Sequence, residues 1–217
     1  MVYLLSIPVV LLVLTVHEVA HGYMAYRLGD PTAKIMGRLS LNPLKHLDPI
    51  GAICMVVFHF GWARPVPINT RYFKKPKRDM ALTALAGPLS NFILAFFAVP
   101  LYLFLYRSTY ALETGGASPF FVTFMSYVTV IFLLLHQISL GLGLFNLIPI
   151  PPLDGSRILF AFLPDRFYFS VMRYERYISF GLMALLFLGF RFGFLDTVLS
   201  LLSGGMERVW RLIPIFS

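Results

Sequence analysis

The chain has 217 residues, 58% of them hydrophobic and 13% charged, with a net charge of +8. A soluble domain of this size carries nearer a quarter charged residues, so the composition points to an integral membrane protein of one domain, residues 1–217. The single cysteine, Cys54, excludes an intramolecular disulfide and a thiolate metal cluster, and Lys and Arg gathered in cytoplasmic loops explain the basic excess without nucleic acid.

Residues 2–28 read as one retained spanning helix. The segment lacks the basic start and small-residue cleavage site of a signal peptide, and at about 1.5 Å per residue it is long enough to cross ~30 Å of hydrocarbon. A polar, turn-rich stretch follows from Gly29 to Pro49. The apolar run 50–61 is too short to span as a helix and reads as a re-entrant or interfacial piece, or a short β element. Gly61 to Asp79 carries six basic residues against one acidic, and Pro65 and Pro67 argue against a regular helix there.

Three more spans are expected, over 81–106, 120–148 and about 177–202. Within the first of these, Gly87 and Pro88 suggest a close helix approach or a break. The second ends in NLIPIPPLDG, Asn146 to Gly155, whose prolines prevent a continuous helix. Unwound backbone at membrane depth is tolerated only inside protein or along a wet cavity, so this segment implies a cavity. The tail after residue 202, with Trp210 and Arg211, suits an interface. Loops 27–80 and 157–176 are basic and loop 107–118 is nearly neutral. The first two are therefore expected in the cytoplasm, with helix 1 running inwards.

HEVAHG, His17 to Gly22, lies in the first span. H-E-x-x-H on a helix puts His17 and His21 one turn apart on one face, where both imidazoles can reach one zinc ion. Zinc lowers the pKa of water to about 7, and Glu18 alongside can take its proton and pass it to a leaving amine. The plainer alternative is three helix residues hydrogen-bonded to neighbours. Three ionisable groups in five residues of an apolar helix are costly, which favours function. A catalytic zinc takes three protein ligands. The candidates for the third include His46, His59, His136, Asp48, Glu113, Asp154 and Glu175. Asp154 stands out because it lies in the proline-rich segment, although a helix N-cap ahead of Gly155 is also open to it. Glu175, between Arg173 and Arg176, suits an ion pair.

HEVAHG, AGPLSN (Ala86–Asn91) and NLIPIPPLDG, in that order, resemble the site-2 protease family of intramembrane zinc metalloproteases. GRLSLNPLKHLDPIG (37–51) and FGWARPVPIN (60–69) resemble its compact branch without a PDZ domain. The resemblance implies one Zn2+ held by His17, His21 and Asp154, Glu18 as general base, and Asn91 and Asn146 as residues near substrate or oxyanion. An alternative for Asn91 is a hydrogen bond at a helix interface. The implied fold is an all-α polytopic membrane protein. It has about four long spanning helices, with short re-entrant or β-like and broken-helix segments around an intramembrane zinc site.

The implied function is hydrolysis of a peptide bond in or near the transmembrane segment of a membrane-protein substrate, in regulated intramembrane proteolysis. The lipid bilayer is then a partner and nucleic acid is not. The expected location is the cell membrane, multi-pass, with the active site towards the cytoplasm. FGWARPVPIN is expected as an extended strand that pairs with an unwound substrate. Two rivals are a divalent-metal transporter and a non-catalytic membrane scaffold with a structural zinc.

Overall fold

A computed structural model describes residues 2–58, 62–188 and 193–216. Among the described residues, three helices are long and apolar enough to cross a membrane: α1 (Val2–Arg27), α4 (Pro76–Thr114) and α5 (Pro119–Asn146). Between α1 and α4 lie the short α2 (Thr32–Ile35) and α3 (Pro49–Phe58), and after α5 come α6 (Asp154–Phe160), α7 (Asp165–Phe187) and α8 (Gly193–Arg211). The described residues hold no strand, only one isolated antiparallel bridge between Leu47 and Ala63. This is an all-α polytopic membrane protein.

Two expectations change. Of the forms expected for the run 50–61, the short β element is replaced by a helix from Pro49 to Phe58, a length that suits a re-entrant or interfacial piece. Proline at its first position fits the fixed φ of a helix start. The expected fourth span over 177–202 is divided between α7 and α8. α7 ends at Phe187 with Leu188 as its C-cap, α8 starts at Gly193, and residues 189–192 lie outside the described residues.

The expected span 81–106 extends over 39 residues from Pro76 to Thr114. At 1.5 Å per residue that is about 58 Å, so both charged ends project beyond the hydrocarbon. The helix continues through Pro88 and Pro100. Helices in lipid gain little from hydrophobic transfer and associate through close packing of small residues. Ala84, Gly87, Ala95 and Ala98 are buried along α4 and let α1 and α5 approach. Val9 and Val13 of α1 meet Ala98 and Leu135 in the resulting core. Outward residues such as Leu4, Ile93, Phe97 and Phe120 are exposed and apolar, as a lipid-facing surface requires.

Trp210, expected as an interface anchor, is half-buried against α4. Its Nε1–H donates to the Phe96 carbonyl at 3.0 Å, and its ring lies 5.2 Å from Phe96.

Candidate metal centre

α1 presents His17 and His21 towards α4, and both are buried. Their Nε2 atoms lie 3.0 Å apart. Asp154, the first residue of α6, brings Oδ2 to 3.1 Å from His17 Nε2 and 3.3 Å from His21 Nε2. A tetrahedral ion with bonds of about 2.0–2.1 Å needs ligand edges of about 3.3 Å, so this triangle fits a zinc ion. Asp154 Oδ2 is buried and takes no hydrogen bond. Three atoms rich in lone pairs thus converge where a cation would relieve them. Among the described residues this is the one group of three or more His, Cys, Asp or Glu placed to hold a metal.

The tautomers are set by α4. His21 Nδ1 lies 2.7 Å from the Thr83 carbonyl, which can only accept, so Nδ1 carries the proton and Nε2 keeps its lone pair. His17 Nδ1 lies 3.1 Å from the side-chain amide of Asn91. The other end of that amide, Oδ1, is buried without a partner. Turning the amide over brings Oδ1 to His17 Nδ1–H and frees Nε2 in the same way.

Glycine permits this approach. A Cβ at Gly87 would overlap the His21 ring and stand 2.7 Å from His17 Cε1. The chain after α5 folds back through a short turn, with the Pro151–Pro152 peptide cis. Gly155 passes so close to the carbonyls of Leu147 and Ile148 that a Cβ would overlap them. Gly87 makes room for the two imidazoles, and Gly155 fixes where the carboxylate of the neighbouring Asp154 can lie.

A cavity of about 350 Å3 opens on the triangle, lined by His17, Glu18, His21, Asn146, Asp154 and Arg157, with Pro65, Val66, Ile68 and Thr70 on another wall. Glu18 is half-buried, and its Oε2 accepts from the Val66 N–H at 2.8 Å. Asn146 lines the cavity, with Nδ2 tied to the Leu142 carbonyl at 3.0 Å. Asn91 is wholly buried behind His17.

The other candidates lie elsewhere. His46 bonds the Ser40 carbonyl, and Asp48 caps the Gly51 N–H. His136 sits between the Ala95 carbonyl and Ser203. Glu175 pairs with Arg157 at 3.3 Å. His59 lies outside the described residues. Sequence reasoning missed Thr83, Val66 and Arg38. Arg38 is buried, with Nη2 donating to the Arg64 carbonyl at 2.6 Å and the Pro65 carbonyl at 3.3 Å. Burial and the neighbouring Arg64 charge lower its pKa from the ordinary value, against the pull of Glu18.

The model of peptidase family M50 matches residues 5–189. The chain is 48% identical over 150 residues to YwhC of Bacillus subtilis, provisionally named a zinc metalloprotease, covering 69% of this chain and 65% of that protein. It is 30% identical over 160 residues to Rip2 of Mycolicibacterium smegmatis, named in the same way, covering 71% of this chain and 55% of that protein. The match therefore spans a little over half the length of these relatives. No solved structure matches the chain closely enough to compare. A zinc cofactor agrees with these relatives and with the His-His-Asp group. The chain belongs to peptidase family M50, the site-2 protease family of zinc metalloproteases.

Proposed function

We propose that the chain is an intramembrane zinc endopeptidase, and that residues 1–217 form one transmembrane metalloprotease domain. The observation that carries the reading is the triangle of His17 Nε2, His21 Nε2 and Asp154 Oδ2 beside Glu18 in one cavity. In this reading His17, His21 and Asp154 hold the metal. Bound there, zinc supplies Lewis acidity for the scissile carbonyl and acidifies water.

The protein's own residues supply the rest. Glu18, held on one oxygen by the Val66 N–H, takes a proton from water with the other and delivers it to the leaving amine. Asn91 orients His17 through the side-chain amide 3.1 Å from Nδ1, which accepts from Nδ1–H once turned over to present Oδ1. Asn146, on the cavity wall, faces the substrate backbone. The segment expected as a pairing strand forms none over residues 62–69, and its Val66 N–H is taken by Glu18; Pro65, Val66 and Ile68 instead wall the cavity in which an unwound transmembrane segment lies. The basic excess over 27–80 and 157–176 supports a cytoplasmic position for this side of the cell membrane.

The test is cleavage of a panel of single-span peptides by the purified chain in liposomes. Glu18→Gln should keep one zinc per chain and lose about 10²–10⁴-fold in rate, the contribution of a general base. A Glu18→Gln protein that cuts as fast as the parent would remove Glu18 as the base. Zinc flux across the liposome without cleavage, persisting in Glu18→Gln, would favour a transporter.

A further inference from the structure

The backbone that holds Glu18 is itself held. Pro65 and Pro67 have no N–H, so Val66 supplies the one backbone donor over 65–67, and that donor goes to Glu18. The two carbonyls immediately before it, of Arg64 and Pro65, both accept from Nη2 of Arg38. Gly22, one turn beyond Glu18, allows the fit: a Cβ there would stand 2.8 Å from Leu39 and 2.9 Å from Val66. Arg38, the 64–66 backbone and Glu18 thus form one connected chain of hydrogen bonds ending at the cavity.

The cost of Arg38 argues for a purpose beyond stapling a loop. It is 8% exposed, its acceptors are two neutral carbonyls, and Nε is buried without a hydrogen-bond partner. A buried cation so placed is held against its own desolvation. Its gain is rigidity in the peptides that aim the Val66 N–H.

We propose that Arg38 is a positioning residue for Glu18, acting through the Arg64–Val66 backbone. The proposal rests on the reading of Glu18 as the base. Without the guanidinium, the 64–66 peptides relax, Val66 no longer fixes Oε2, and the free oxygen of Glu18 loses its aim. Misplacement of a reacting group by about 1 Å costs on the order of 10²-fold in rate.

Arg38→Met, which keeps the stem and removes the donors, is compared with Arg38→Lys, Glu18→Gln and the double variant Arg38→Met/Glu18→Gln. The probe is the best-cleaved peptide of the liposome panel. Arg38→Met should lose about 100-fold in kcat, with KM within about 3-fold and one zinc per chain. Arg38→Lys should recover part of the loss. In the Glu18→Gln background Arg38→Met should add less than about 2-fold, because the two act as a unit. A readout without activity is amide hydrogen exchange at Val66, resolvable because both neighbours are prolines. It should quicken about 10-fold in Arg38→Met while α5 exchanges as in the parent.

Unchanged exchange at Val66, a loss carried by KM or by zinc, or a full additional loss in the Glu18→Gln background would overturn the proposal. If Arg38→Met does not accumulate, Val66→Pro, which removes the N–H and leaves Arg38, is read by the same kinetic criteria. A fully active Glu18→Gln defeats the protease reading, whereas an inactive Glu18→Gln beside a parent-like Arg38→Met defeats only this inference.

Discussion

The Thr83 carbonyl on α4 lies 2.7 Å from Nδ1 of His21 on α1. Packing of two spanning helices thereby decides which nitrogen of His21 faces the centre. A backbone acceptor cannot change roles, so the tautomer needed for metal binding is built into the helix pair before any metal arrives.

Asn91 does the corresponding work for His17 and should be felt in metal affinity. Asn91→Ala leaves His17 Nδ1 without its partner, and zinc affinity should fall about 10–100-fold. Competition with a chelator measures this directly, with no substrate needed. An Asn91→Ala protein that holds zinc like the parent, yet cuts slowly, would place Asn91 on the substrate instead.

Glycine spacing gives a graded prediction. Gly87→Ala sets a Cβ into the two imidazoles and should strip zinc, with overpacking costing about 1–3 kcal/mol. Gly143→Ala meets the Pro88 carbonyl and the Asn91 and Phe92 side chains at 3.2–3.3 Å and should be milder. Gly141→Ala meets nothing within 4 Å and should leave zinc content and stability as they are. Zinc content and thermal unfolding of the three proteins check the order.

His136 is predicted to matter for stability and not for metal. It joins α5 to the Ala95 carbonyl of α4 and to Ser203 of α8. His136→Ala leaves buried polar groups unpaired, at a cost of about 1–3 kcal/mol, and should loosen α8 while zinc stays bound. Proteolytic trimming of α8, read beside zinc content, separates the two effects.

These sites differ in how far the sequence discloses them. The i, i+4 spacing of His17 and His21 on an apolar helix is a local fact, fixed by helix geometry alone. Asp154 lies 133 residues beyond His21, and the prolines before it signal a cavity without saying what lies across it. Gly87 is legible as a close approach, but its neighbours are the two histidines of another helix. Arg38 reads as an ordinary loop cation, because burial against the 64–65 carbonyls depends on how that loop crosses α1. The division of the 177–202 segment is hidden for a similar reason: hydropathy alone does not register where α7 ends and α8 begins.

Zinc-edge X-ray absorption on the purified chain and on Asp154→Ala tests the central claim most directly. The account predicts two imidazole nitrogens and oxygen donors at about 2.0–2.2 Å without sulfur, and at least a 10-fold loss of zinc affinity in Asp154→Ala. Zinc retained undiminished in Asp154→Ala and lost in Glu175→Ala would contradict it.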